Sequence, residues 1–258
     1  MSAVRPMAER PPERAVTAAV IIIGNEILSG RTKDANLPWL AERLNAIGIR
    51  VMEARVIADS PDAIVAAVNE VRARFDYVFT TGGIGPTHDD ITSECVARAF
   101  GLRLMLNEEA RGRLERHYPP GGLNESRLRM AHVPEGATLI DNPVSAAPGF
   151  QIANVFVLAG IPAVMQAMFE GLRHRLEGGL PMLSRTVAAH LGEGVIAKDL
   201  GALQARYPDL EIGSYPFVRQ SRFGASFVIR GTDAGRIAAC AEELEAIIRR
   251  LGAEPIAE

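Results

Sequence analysis

Thr80-Thr-Gly-Gly-Ile-Gly-Pro-Thr-His-Asp-Asp-Ile-Thr92 continues a short apolar run that begins at Tyr77. Residues 77–80 predict a buried strand, broken by Gly82, Gly83, Gly85 and Pro86, with a helix to follow as far as Phe100, where Gly101 stops it. Open α/β sheets place ligands at the carboxyl ends of such strands. Three glycines let the backbone come close to a ligand and present N–H groups, which suits a phosphate. The helix start adds positive dipole at the same point. The stretch could instead be a turn whose glycines serve geometry alone, but a pure turn does not require Thr87, Asp89, Asp90 and Thr92 together. It lacks the Gly-Lys-Ser/Thr of a P-loop, and Gly83-Ile-Gly85 lacks the third glycine of the dinucleotide fingerprint. Two carboxylates beside a phosphate cradle repel an anion unless a divalent cation or a proton lies between them, and oxygen ligands of this kind fit Mg²⁺ or Mn²⁺.

Upstream, residues 17–23 (Thr-Ala-Ala-Val-Ile-Ile-Ile) form a continuous apolar run, as expected of a strand buried on both faces of a parallel sheet. A helix pattern starts at Asp34, with Leu37, Leu40, Ala41, Leu44 and Ile47 on one face and Gly48 at its end. Residues 49–57 read as a second strand. Asp59 or Ser60 then caps a helix with Pro61 in its first turn. Strand and helix alternating in this way predict βαβ units in a parallel sheet.

Each of these three strands should deliver carboxylates to one rim. Gly24-Asn-Glu-Ile-Leu-Ser-Gly-Arg-Thr-Lys-Asp-Ala-Asn36 follows the first and supplies Glu26, Asp34 and Asn36, with Arg31 and Lys33 for positive charge. Asp59 follows the second, and Asp90 the third. Asp34 and Asp59 also stand where a helix N-cap is wanted, and that reading stays open for both.

Downstream, residues 107–135 read as helical around a turn at 119–122. Strands follow near 138–140 and 154–158, flanking a Pro/Gly-containing loop, and then a helix from Pro162 to about Leu176. Residues 177–181 have the Gly/Pro density of a linker. Beyond them a βαββα pattern predicts a small α+β domain, whose last helix carries Ile237, Cys240, Ala241, Leu244, Ile247 and Ile248 on one face. The expected organisation is a disordered tail at 1–14, a main domain at 15–178 and the small domain at 179–258.

Of the 258 residues, 48% are hydrophobic and 23% charged, with a net charge of −3, values of an ordinary globular chain with a sizeable core. Basic residues cluster only briefly, as at Arg127 with Arg129, which reads as solvated helix surface, so no nucleic-acid footprint is seen. The longest apolar run is too short to span a bilayer, and no signal peptide is evident. Cys95 and Cys240 lie far apart in helical segments, which points to packing in a reducing compartment; the expected location is the cytoplasm. His88 is the one histidine inside the glycine motif and could touch a phosphate. His117, His132, His174 and His190 lack metal-ligand spacing.

The motif of residues 81–92 resembles the Gly-Gly-Thr-Gly…Asp-x-Thr motif of the MoaB/Mog molybdopterin-binding domain. It is most similar to the subgroup of bacterial competence-damage-inducible protein A (CinA) and the N-terminal domain of eukaryotic FAD synthase. Gly24-Asn-Glu-Ile-Leu-Ser-Gly30 looks like the first loop of that subgroup, and Asp59 falls where Mog proteins carry an acidic active-site residue. Asn142-Pro-Val-Ser-Ala-Ala-Pro-Gly-Phe150 and Leu158-Ala-Gly-Ile-Pro162 resemble two further loops. Ala159, Ser145 and Ile84 stand where the family usually has proline, glycine and threonine. The resemblance covers roughly residues 17–176.

It implies an α/β fold: a three-layer αβα domain with a mostly parallel sheet, plus the small C-terminal α+β domain. It also implies a divalent-metal-dependent pyrophosphatase acting on ADP-ribose, FAD or a related nucleotide diphosphate. In that reading Asp90, Asp59 and Asp34 are catalytic, Asp59 and Asp90 hold Mg, Mn or Co, and the ligand is bound by Thr81, Gly82, Gly83, Gly85, Pro86, Thr87, Thr92, Gly24, Glu26, Asn36, Asn142 and Gly160. The alternatives are molybdopterin or adenylyl-molybdopterin binding in cofactor assembly, and a non-catalytic nucleotide-binding regulator. The partner expected is a small phosphorylated ligand, with no nucleic acid and no membrane, and the chain should form a homo-oligomer, dimer or trimer. The amidohydrolase domain of full-length CinA proteins is not seen, so NMN deamidation is not expected.

Overall fold

The computed structural model describes residues 15–219 and 221–257; the tail expected at 1–14 lies outside them. Residues up to Gly179 form one compact unit and residues from Leu180 another.

The first unit runs β1 (Val16–Ile23), α1 (Asn25–Leu28), α2 (Asn36–Ala46), β2 (Ile49–Ile57), α3 (Pro61–Arg72), β3 (Tyr77–Thr81), α4 (Thr92–Phe100), β4 (Leu104–Leu106), α5 (Glu108–His117), α6 (Glu125–Leu128), β5 (His132–Pro134), β6 (Thr138–Ile140), β7 (Gly149–Ile152), β8 (Val155–Leu158) and α7 (Pro162–Leu172). Its main sheet has the order β2-β1-β3-β8-β7-β6. The pairings β2/β1, β1/β3 and β3/β8 are parallel, and β8/β7 and β7/β6 antiparallel. The sheet is therefore mixed, parallel in its functional half.

Alternate side chains of β1 explain the three layers. Ala19, Ile21 and Ile23 pack with Ile64, Val68 and Val71 of α3 and with Cys95, Val96 and Ala99 of α4. Ala18, Val20 and Ile22 face Leu40 and Leu44 of α2 and Met165, Phe169 and Leu172 of α7. A strand covered on both faces must be apolar throughout, which is why the run 17–23 has no polar alternation. The chain leaves β1 toward α2 on one face and β3 toward α4 on the other. The crevice between the carboxyl ends of β1 and β3 is thus a topological switch point, where open α/β sheets bind ligands.

Two expectations are corrected, and the expected linker holds the boundary between the units. The stretch 107–135 is not helical to its end: β5 pairs antiparallel with β4, as a small separate sheet. Three-residue strands are too short to show a period of two, and Pro134 could not have continued a helix. Within the loop expected between β6 and β8, residues 149–152 form β7, turned back on β8 at Ala153, whose φ is 49°. The linker at 177–181 is partly anchored. Gly179 N–H donates to Gly48 O at 3.2 Å, and a Cβ on Gly178 would fall 1.6 Å from Ile47 O. These two glycines permit close packing rather than freedom of the chain.

The second unit comprises β9 (Leu183–Ala189), α8 (Glu193–Arg206), β10 (Glu211–Arg219), β11 (Arg222–Gly231), α9 (Ala234–Arg250) and β12 (Pro255–Ala257). Its antiparallel sheet has the order β10-β11-β9-β12, the last strand being one the sequence pattern did not show. Val187, Phe227 and Ile229 pack there against Ile196, Leu203, Ile237, Cys240, Leu244 and Ile248 in a core of its own.

Candidate functional site

The glycine loop leaves the end of β3 and closes on itself. Gly82 and Gly83 have φ of 105° and 69°, the left-handed region that favours glycine. A Cβ on Gly82 would lie 2.2 Å from Ile23 O, one on Gly83 2.2 Å from Thr92 Oγ1, and one on Gly85 2.7 Å from Asp90 Oδ2. Thr92, fully buried at the start of α4, donates its hydroxyl to Gly82 O at 2.9 Å and its N–H to Gly83 O at 3.0 Å. The missing side chains thus make room for the protein's own atoms. Thr92 holds the loop shut, and this geometric part of the turn reading is correct.

What the closed loop leaves open is backbone. Among the described residues the consecutive N–H groups of Gly83, Ile84 and Gly85 have no hydrogen-bond partner. A run of such donors at the end of a strand is an anion cradle. Beside it, Asp90 Oδ2 accepts from Thr87 N–H at 2.8 Å and Thr87 Oγ1 at 2.5 Å, which leaves its second oxygen without a hydrogen-bond partner among the described residues. Pro86 and Thr87 are exposed on the loop's outer turn.

Loops from β1, β2 and β8 meet the same rim. Gly24 N–H donates to Ile57 O at 3.1 Å, and Gly82 N–H to Leu158 O at 3.2 Å. Asn36 donates Nδ2–H to Gly160 O at 2.8 Å, while a Cβ on Gly160 would sit 3.2 Å from Gly82 Cα. Gly160 is thus a packing point that ties the β8 loop to the glycine loop. Asn36 Oδ1, Thr80 Oγ1 and Thr81 Oγ1 are buried without a hydrogen-bond partner. Orphaned polar atoms of this kind are uncommon and cost about 1–3 kcal/mol each.

The carboxylates divide into two kinds. Asp34 accepts from Asn36 N–H at 3.2 Å and Leu37 N–H at 3.0 Å, so both oxygens cap α2. Both oxygens are thus engaged as the capping alternative expects. Asp59 does not cap α3, where Ser60 takes the N-cap position without a side-chain bond. Its Oδ2 instead accepts from Asn25 N–H at 2.8 Å, tying the end of β2 to the first turn of α1. Glu26 folds back on its own loop: a Cβ on Gly24 would lie 2.5 Å from its Oε1. Among the described residues no group of three or more His, Cys, Asp or Glu could hold a metal ion. The protein would offer a cation one or two carboxylates, with ligand oxygens completing the shell, the usual arrangement for Mg²⁺ at phosphates.

Asn142, expected as a ligand residue, is buried and turned on its own loop. Its Nδ2 donates to Ser145 Oγ and Ala147 O, both at 2.8 Å, and its Oδ1 accepts from Val144 and Ser145 N–H, both at 3.1 Å. Every polar atom of this buried side chain braces its own loop. Cys95 is buried, and burial pushes its thiol up to about 11, which favours the neutral form.

One feature escaped sequence reasoning. A hollow of about 180 Å³ adjoins Gly85 and Asp90, bounded by the first turn of α4 and by the 3₁₀ turn Arg129–Ala131. Arg127, read as solvated helix surface, stacks over Tyr118 and donates to Gly122 O. Arg129, read in the same way, lines the hollow. No local motif could have told the two apart, because only the return of the chain beside α4 places Arg129 there.

Residues 19–178 match the family model described as "Probable molybdopterin binding domain". The chain belongs to this family. Residues 181–253 match a second model, "FAD synthase, middle domain". The chain is 36% identical to a "CinA-like protein" of Desulfosudis oleivorans over 76% of its own length and 51% of that protein. It is 31% identical to a "Probable FAD synthase" of Caenorhabditis briggsae, over 85% of itself and 47% of that protein. It thus spans about half the length of these two relatives. Among solved structures, the CinA protein of Thermoplasma acidophilum, described as of unknown function, is 34% identical with a TM-score of 0.59, covering 62% of this chain and 98% of that one. Among the described residues no helix is long and apolar enough to cross a membrane.

Proposed function

We propose that this protein is a divalent-metal-dependent pyrophosphatase acting on a nucleotide diphosphate of the ADP-ribose or FAD class. The observation that carries this reading is the row of open N–H groups from Gly83 to Gly85 beside the pinned carboxylate of Asp90, at the switch point of the sheet. The donors fit a phosphate, and the carboxylate fits an anion only if positive charge lies between. Asp59, after the end of β2 and so with β1 between its strand and β3, is the second candidate for holding that charge. A bound Mg²⁺, Mn²⁺ or Co²⁺ would neutralise the diphosphate and polarise a water. The water oxygen bonds to one phosphorus, the bridging P–O bond breaks, and ADP-ribose leaves as AMP and ribose 5-phosphate.

The residues contribute by position. Thr87 fixes the Asp90 carboxylate, Thr92 keeps the cradle closed, and Asp34 and Asp59 hold the first turns of α2 and α1 at the rim. Catalysis by positioning and charge is what phosphoryl chemistry generally requires. The similarity to FAD synthases supports a nucleotide as ligand. The cytoplasmic, homo-oligomeric state, dimer or trimer, belongs to the same reading; both cysteines are free and buried.

The matched description of the main domain favours a second reading, molybdopterin bound by its phosphate. A screen of ADP-ribose, FAD and adenylated molybdopterin with Mg²⁺, Mn²⁺ and Co²⁺ separates the two. Metal-dependent release of AMP from ADP-ribose or FAD supports the first. Binding of the pterin alone, with no turnover of either dinucleotide, overturns it.

A further inference from the structure

We propose that the outer face of the second unit's sheet binds single-stranded nucleic acid, with bases stacked on Tyr215 and Phe217 and phosphates held by arginines. Strand pairing fixes that face. Helices α8 and α9 pack on the side of Val187, Ala225, Phe227 and Ile229, where the core of this unit lies. The alternate residues point to the other side, which neither helix covers. There the register sets Gly213 opposite Val228, Tyr215 opposite Ser226, Phe217 opposite Gly224 and Arg219 opposite Arg222.

Two glycines set the rings. A Cβ on Gly213 would lie 2.9 Å from Tyr215 Cε2, and one on Gly224 2.6 Å from Phe217 Cζ, so each ring leans onto a glycine. A ring laid on a sheet in this way turns its other face outward, and Tyr215 is 48% exposed. The two residues stand two apart on β10, about 7 Å from one another, which admits one base on each. Arg219 Cζ lies 4.3 Å from the centroid of the Phe217 ring, and a base stacks on a guanidinium plane as it does on a ring. Beside Tyr215, a hollow of about 290 Å³ bounded by Gly213, Val228 and Arg230 gives room for a base.

Charge selects the partner. Arg222 and Arg230, at the two ends of β11 on this face, have no ion pair among the described residues, whereas Arg185, Arg206, Arg236, Arg249 and Arg250 of the same unit each pair with a carboxylate. Glu211 is the only carboxylate on the outer face among the described strand residues. A second copy laid on this face would set arginine against arginine, so the partner is a polyanion. An acidic peptide would use the arginines and leave the rings idle. A single strand of nucleic acid uses both, because aromatic side chains receive its bases while cationic ones track its backbone. The expectation of no nucleic-acid partner rested on clusters along the chain. Arg222 and Arg230 make no such cluster, and only the pairing of β10 with β11 brings them to one face with the rings.

Fluorescence anisotropy of the full chain with labelled oligo(U) and oligo(dT) of about 12 nucleotides, at about 50 mM salt, tests the proposal. At least one of the two should bind, and heparin and poly-glutamate should compete for the site less well than the unlabelled oligonucleotide. Tyr215→Ala should weaken binding about fivefold or more. The double variant Arg222→Ala with Arg230→Ala should lower the slope of log affinity against log salt by about 1 to 1.5. Phe223→Ala is the control: its ring is 79% exposed on the same hairpin, but opposite Val218 and so on the other side of the sheet, and its loss should leave affinity unchanged. Circular dichroism verifies each fold. Failure of both oligonucleotides to bind, equal competition by heparin or poly-glutamate, or equal losses for Tyr215→Ala and Phe223→Ala overturns the proposal. None of these outcomes bears on the glycine loop, which belongs to the first unit.

Discussion

Replacing Gly83 by alanine puts a methyl group where the fold already has an atom. The residue has φ of 69°, and in the left-handed region a Cβ costs about 1–2 kcal/mol. The new carbon would also lie 2.2 Å from Thr92 Oγ1 and 3.3 Å from Thr92 Cβ, far inside contact distance. Thr92 is fully buried and cannot swing into solvent, so its hydroxyl loses the 2.9 Å bond to Gly82 O and leaves that carbonyl unpaired. An unsatisfied buried group adds about 1–3 kcal/mol, so Gly83→Ala should destabilise the first unit by about 2–5 kcal/mol. In a chain of this size that corresponds to a fall in Tm of roughly 5–20 °C. Trp39, the single tryptophan, sits on α2 with its ring 5.4 Å from that of Phe169, so its fluorescence reports melting of this unit. Gly101→Ala is the matched control. Its φ is 65°, but nothing lies within 4 Å of its added Cβ, so it measures the conformational penalty alone. In a Thr92→Val background Gly83→Ala should cost less than in the native chain, because the bond it breaks is already gone. Equal losses for Gly83→Ala and Gly101→Ala, or full additivity with Thr92→Val, would refute closure of the loop on Thr92.

Asp90→Asn should leave Tm nearly unchanged, since the amide oxygen can still accept from Thr87, and should lower AMP release from ADP-ribose at saturating Mn²⁺ by about 10²-fold or more; normal turnover removes Asp90 from the chemistry. Asn142→Ala deletes four hydrogen bonds inside one loop and should cost about 2–4 kcal/mol in urea unfolding, with pyrophosphate affinity unchanged; weakened binding in a folded variant restores Asn142 to the site. Burial raises Cys95 and Cys240 from an ordinary value of 9.0 to about 11, so the neutral thiol is the form the fold favours. The stability they contribute is complete below pH 9.0 and is lost as pH rises toward about 11. Denaturation midpoints should fall over that window, and Cys95→Ala with Cys240→Ala should flatten the slope; an identical slope in the double variant means other groups cause it.

The local pattern determined much of this protein. The run at 17–23 reads as a doubly covered strand because every side chain from Ala18 to Ile23 packs in the core on one face or the other. The spacings of Ile64, Val68 and Val71 and of Ile237, Cys240 and Leu244 mark helix faces, since burial along one helix is set by its own period. The glycine loop was legible because residues that must adopt positive φ advertise themselves by composition. Three things were decided only by tertiary structure. Asp34, Asp59 and Asn142 look alike in sequence as polar residues after strands. Which of them braces the chain depends on amides brought to it by folding, from two residues away for Asp34 and from 34 away for Asp59. β4, β5 and β7 are three or four residues long, too short for any period to show; β4 and β5 exist because each pairs with the other from far along the chain, and β7 because it lies between β6 and β8 in the main sheet. Arg129 gained its place from the packing of its turn beside α4, whereas Arg127, two residues earlier, found a ring and a carbonyl. Backbone preference and hydrophobic period act over one turn or a few residues and are written in order along the chain; strand order, caps supplied from afar and the walls of a hollow are contacts between residues far apart in sequence, which no local pattern encodes.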